Sequence, residues 1–88
     1  MHALVLNVTI EGDPDEAAAY LRGEVVPRVK GAPGFIAGYW VGLPNAKGTG
    51  VVAFESEEAA RAALEQGPPP GPGVTIDSAE VGEVVASA

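Results

Sequence analysis

Hydrophobic and polar positions alternate almost from the first residue. In Ala3-Leu4-Val5-Leu6-Asn7-Val8-Thr9-Ile10, Leu4, Leu6, Val8 and Ile10 share one face, and Val5, Asn7 and Thr9 share the other. A period of two predicts a β-strand whose uniformly apolar face meets helices. The period then lengthens. Asp13 is placed as an N-cap, Pro14 suits the first helical position, and Glu16 completes a capping-box spacing. Ala18, Leu21, Val25 and Val29 form the buried stripe of a helix expected to reach about Lys30. Pro27 lies inside it and would meet the carbonyl of Gly23. Because the apolar spacing continues across the proline, a bend is predicted rather than two helices. Arg28 and Lys30 suit the negative end of the helix dipole, and Gly31 is the expected C′ residue.

Ala32-Pro33-Gly34-Phe35 has Pro and Gly where a type II turn needs them. The strand that follows, residues 35–43, is apolar or small on both faces. Phe35, Ala37, Tyr39 and Val41 fall on one side; Ile36, Gly38, Trp40 and Gly42 fall on the other. Residues 44–48 read as a loop and 50–55 as a third strand, so the two strands form an antiparallel hairpin. Ser56 caps a second helix over 57–66, with Ala60, Ala63 and Leu64 as a thin buried stripe and Gly67 at its end. The Pro-rich stretch 67–73 reads as a stiff loop. A last strand begins at Val74, and its apolar parity changes before Ala79, Val81 and Val85. That change predicts a bulge near Asp77 and Ser78.

The resulting order, β-α-β-β-α-β, is that of an α+β, ferredoxin-like sandwich: a four-stranded antiparallel sheet with two helices on one face. Eighty-eight residues make one domain, spanning 1–88. An apolar content of 47% argues against disorder despite twelve Gly and eight Pro. The open sheet face changes the picture most. Val5, Val51 or Val52, and either Tyr39 or Trp40 must lie there, and a second copy packed sheet to sheet would cover them, so a homodimer is expected. Five Lys and Arg against twelve Asp and Glu make a net charge of −7, a poor match for nucleic acid or an anionic membrane. Without cysteine there is no disulfide framework, thiolate metal site or cysteine nucleophile. No apolar run reaches the ~20 residues of a membrane span, and no basic-then-apolar leader opens the chain, so a cytoplasmic protein is expected.

The element order, the Pro33-Gly34-Phe35 entry to the second strand, and Phe54-Glu55-Ser56-Glu57-Glu58-Ala59 leading into the second helix resemble the dimeric α/β-barrel superfamily. The branch most similar is the antibiotic-biosynthesis-monooxygenase-like domains. The resemblance implies two sheets forming a barrel between protomers and a ligand cleft between each sheet and its helices. It also implies activities ranging from cofactor-free oxidation of aromatic polyketides to haem degradation. Phe54 stands where such proteins often carry Trp. Haem-degrading relatives pair a first-strand Asn, matched by Asn7, with a second-helix His, and no His occurs between Glu57 and Gln66. Haem degradation is thereby disfavoured, and no cofactor is expected.

Four residues are candidates for a ligand site. Asn7, mid-strand among aliphatics, has an amide suited to holding a substrate carbonyl or enolate, and it is the best catalytic candidate. The plainer account is a polar residue at the wet end of a dimer interface. Thr9 is a weaker candidate, since Thr is common in strands. Tyr39 and Trp40 are adjacent and so point to opposite faces. One packs in the core or at the dimer seam, and the other would wall an aromatic-binding cleft; their spacing does not say which. Gly38 and Gly42 flank Trp40 and leave room for a flat ligand or for a helix backbone. His2 is expected to be incidental at a frayed terminus, and Tyr20, off the main helical stripe, to rim a pocket. The acidic groups at residues 11–16 and 55–58 follow from helix-start preference, so no metal is expected. Gly48-Thr49-Gly50-Val51-Val52-Ala53 imitates a dinucleotide-binding string but enters a strand rather than leaving one. The reading is thus a homodimeric small-molecule-binding protein, for which the resemblance implies a cofactor-free monooxygenase-like activity on an aromatic or polyketide-like substrate. The alternative is a non-catalytic dimeric interaction module.

Overall fold

The computed structural model describes residues 1–67 and 71–88. Four strands, β1 (His2–Ile10), β2 (Phe35–Leu43), β3 (Lys47–Phe54) and β4 (Val74–Glu83), form one sheet in the order β2-β3-β1-β4. Every neighbouring pair is antiparallel. With two helical segments between strands, the architecture is α+β and compatible with a ferredoxin-like fold. Placing β1 and β3 at the centre puts the most regular apolar alternation where both edges are paired.

The core is small and lies under the second helix (Glu57–Gln66). Leu4, Val52, Phe54 and Ala60 pack together, with Leu6, Val29 and Val81 against them. Ala60 is 0% exposed and Phe54 1%, so a methyl side chain lets the helix settle onto the ring. Ser56 caps this helix, its Oγ accepting from the Ala59 N–H at 3.1 Å. Leu64, expected on the buried stripe, is instead 38% exposed.

Two bulges set which side chains share a face. The β1–β4 register slips between Asn7 and Val8, leaving Asp77 unpaired, as the parity change predicts. A second slip lies between Phe35 and Ala37. It turns Phe35 away from Ala37 and Tyr39 and into the core, where its ring meets Phe54 edge-on at 6.4 Å and 79°. The expectation that Phe35 lies with Ala37, Tyr39 and Val41 is corrected by this bulge, which Ile36 absorbs. The entry turn is as expected: Gly34 has φ +79°, and the Phe35 N–H donates to the Ala32 carbonyl at 3.2 Å. The hairpin loop is shorter than predicted, because β3 already begins at Lys47.

The first helix, residues 14–30, departs most from expectation. It is α-helical over Pro14–Tyr20, π-helical over Leu21–Val25 and α-helical again over Val26–Lys30. The Val26 N–H reaches back five residues to the Leu21 carbonyl. One wide turn accommodates Pro27, which has no N–H to offer Gly23 and whose ring would crowd that carbonyl in a regular helix. A π-turn thus takes the place of the predicted bend. Asp13 caps the start, its Oδ1 accepting from the Asp15 N–H at 2.9 Å. Gly31 ends the helix at φ −84°, not in the left-handed conformation of a C′ glycine. His2 is not frayed: it pairs within β1 and lies 3.5 Å from Glu57. Residues 68–70 of the Pro-rich loop lie outside the described residues.

Candidate functional site

The second helix covers one half of the sheet, and the first helix stands over the other half without filling the space beneath it. A cleft of about 590 Å³ remains between them. Its walls are aliphatic: Leu6, Val8 and Ile10 come from β1, Leu21 and Val25 from the first helix, and Ile76 from β4. Its floor has an uncommon construction. Trp40 pairs with Gly50 across the hairpin, Gly38 pairs with Val52, and Gly42 pairs with Gly48. The indole lies flat over two of these glycines. A Cβ at Gly50 would fall 2.9 Å from Trp40 Cδ1, and one at Gly38 would fall 2.9 Å from Trp40 Cη2. A side chain at either position would lift the ring. Beside it, Gly42 faces open space, with nothing within 4 Å of where a Cβ would be. Tyr20 stands at the edge of the cleft, its ring against Gly71.

The opposite sheet face has two unlike halves. Tyr39, Val41, Leu43 and Val51 present a bare apolar strip across β2 and β3, Tyr39 being 71% exposed. Toward β1 and β4 the face is polar and internally bonded. Asn7 Nδ2 donates to Ser78 Oγ at 3.0 Å. Thr9 Oγ1 donates to Asp77 Oδ2 at 2.6 Å and accepts from Lys47 Nζ at 2.7 Å. The bulge that frees Asp77 from the ladder brings its carboxylate to this pair, with Lys47 Nζ 3.6 Å away.

The four candidate residues therefore divide between two faces. Trp40 floors the cleft, whereas Asn7 and Thr9 project from the other side of the sheet with Tyr39. Within one protomer, Asn7 and Trp40 do not converge on a common ligand. Even on their shared face, β3 separates Asn7 from Tyr39. Tyr20 rims the cleft as expected. Sequence reasoning missed Arg22, which lines the cleft from the π-turn, and missed Gly48 and Gly50 as parts of its floor. The signal was present: pairing residues 38–42 with 48–52 around a short loop sets Gly38 and Gly50 against the Trp40 indole.

The acidic groups have local employment. Asp13 caps a helix, Glu11 accepts from the Thr75 hydroxyl at 3.3 Å, and Glu57 faces both His2 and Arg61. Among the described residues, no three His, Asp or Glu side chains gather as a metal site, and no helix is long and apolar enough to cross a membrane. The chain matches no family model, and no match to it was found among curated proteins.

Proposed function

We propose that this chain is a homodimeric small-molecule-binding protein, holding a flat apolar or aromatic ligand against Trp40 and joining its twin through the open sheet face. The observation that carries the ligand reading is the cleft floor, an indole laid over Gly38 and Gly50 beside the unfilled space at Gly42. A cleft of about 590 Å³ lies within the roughly 300–1,000 Å³ of small-molecule sites, and its aliphatic walls and few polar groups match their usual lining. A cleft between sheet and helix also accords with kinship to the dimeric α/β-barrel, antibiotic-biosynthesis-monooxygenase-like proteins, and that kinship is part of the proposal.

Binding is favoured over catalysis. Asn7, the residue best suited to polarise a substrate oxygen, is on the far side of the sheet and engaged with Ser78. A cofactor-free oxidation in the cleft would have no amide from that position to steady a developing enolate. The open strip of Tyr39, Val41 and Val51 supports the dimer.

The ligand reading is tested by following the Trp40 indole N–H resonance during titration with 2-naphthol. The expected result is a saturable shift in the wild type, with affinity reduced at least about tenfold in Gly42→Leu, whose side chain would occupy the open space. A wild-type protein whose indole resonance does not move would leave the non-catalytic interaction module as the better account.

A further inference from the structure

We propose that the ligand of this cleft carries a single carboxylate on its apolar body, and that Arg22 receives it. The proposal rests on the cleft being a ligand site and adds the chemistry of what enters. Among the described residues that line the cleft, Arg22 is the one charged side chain. It is also uncommitted. Among the described residues no carboxylate lies within 4 Å of the Arg22 guanidinium; the same holds for Arg28 and Lys30, but neither of those lines the cleft. Glu24 shares the π-turn but does not line the cleft.

Charge makes this placement selective. The chain carries −7 overall, so an anion is repelled by most of the surface. A lone guanidinium beside an aliphatic cavity is the exception, and low-dielectric walls strengthen its attraction. Its planar fork of N–H donors matches a carboxylate in a two-bond arrangement, which a solvated lysine would not reproduce. The apolar body would then lie along Trp40 and Leu21, with the acid group at the helix-side edge.

The experiment compares 2-naphthoate with its neutral isostere 2-naphthamide, read on the indole N–H of the chain's single tryptophan. In the wild type, naphthoate should bind at least about tenfold more tightly, the scale of one charge-assisted contact. Added salt should weaken naphthoate alone. Arg22→Gln, at an exposed position, should abolish the preference and remove the salt dependence of naphthoate binding, and Arg22→Lys should restore part of both. Equal affinities in the wild type, or a preference that survives in Arg22→Gln, would overturn the carboxylate assignment while leaving the cleft a ligand site. If neither probe moves the resonance, the ligand reading and this proposal fail together.

Discussion

At the scale of single residues, the absence of side chains does as much as their presence. Gly38 and Gly50 leave the sheet bare so that an indole can lie on it. Gly50→Ala should therefore raise Trp40 off the sheet and into the cleft. Overpacking of this kind costs about 1–3 kcal/mol, and here the open space above the ring should hold the loss near the lower figure. The expected signature is a changed tryptophan emission maximum and weakened 2-naphthol binding, with a cooperative urea transition retained. Unchanged emission and binding would mean that the ring does not rest on the glycine. Trp40 and Tyr39 also show how far side-chain direction was legible. Adjacency places them on opposite faces, but which face each takes depends on register with β3, and aromatic identity says nothing about that. Phe35 was misassigned for a related reason. A bulge at Ile36 flips one side chain without altering the run of apolar residues.

At the scale of elements, local chemistry was readable wherever a residue type has one dominant use. Ser56 caps, Gly34 takes the positive φ of its turn, and the parity change at Asp77 marks a bulge. The first helix was harder to read. Pro27 announces an irregularity, yet a bend, a break and a π-turn answer the same missing N–H, and only the packing of the stripe chooses among them. The π-turn holds Arg22 at the cleft and includes Gly23, whose φ is not in the left-handed region and whose absent Cβ would touch nothing. Gly23→Ala should accordingly stabilise the chain by about 0.5–1 kcal/mol, chiefly by restricting the unfolded state. Urea denaturation would show a higher midpoint at unchanged slope. A lower midpoint would mean that the wide turn needs glycine's freedom.

At the scale of the molecule, one sheet has two unfinished sides. The buried apolar residues are few (Ala3, Leu4, Ala17, Val52, Phe54 and Ala60), and the first helix roofs a cavity rather than a packed layer. A domain of this size is marginal even with a full core. Fully burying a side chain such as Val or Leu contributes about 1.5–3 kcal/mol, so covering Tyr39, Val41, Leu43 and Val51 would add several kcal/mol where the fold most lacks them. The polar end of the same face, where Asn7 bonds to Ser78 and Thr9 bonds to both Asp77 and Lys47, would form the rim of such an interface. An apolar open face was legible from Val5, Val51 or Val52, and one of Tyr39 and Trp40; its division into an apolar strip and a polar end required the register.

The claim on which the account depends is that the protomer pairs through this strip, and equilibrium sedimentation at micromolar concentration tests it most directly. The wild type should sediment at twice the 8.9 kDa chain mass, and Tyr39→Lys combined with Val51→Lys should sediment at the single mass with a lower unfolding midpoint. A wild type that sediments as a folded single chain, or a double variant that remains paired, would contradict it.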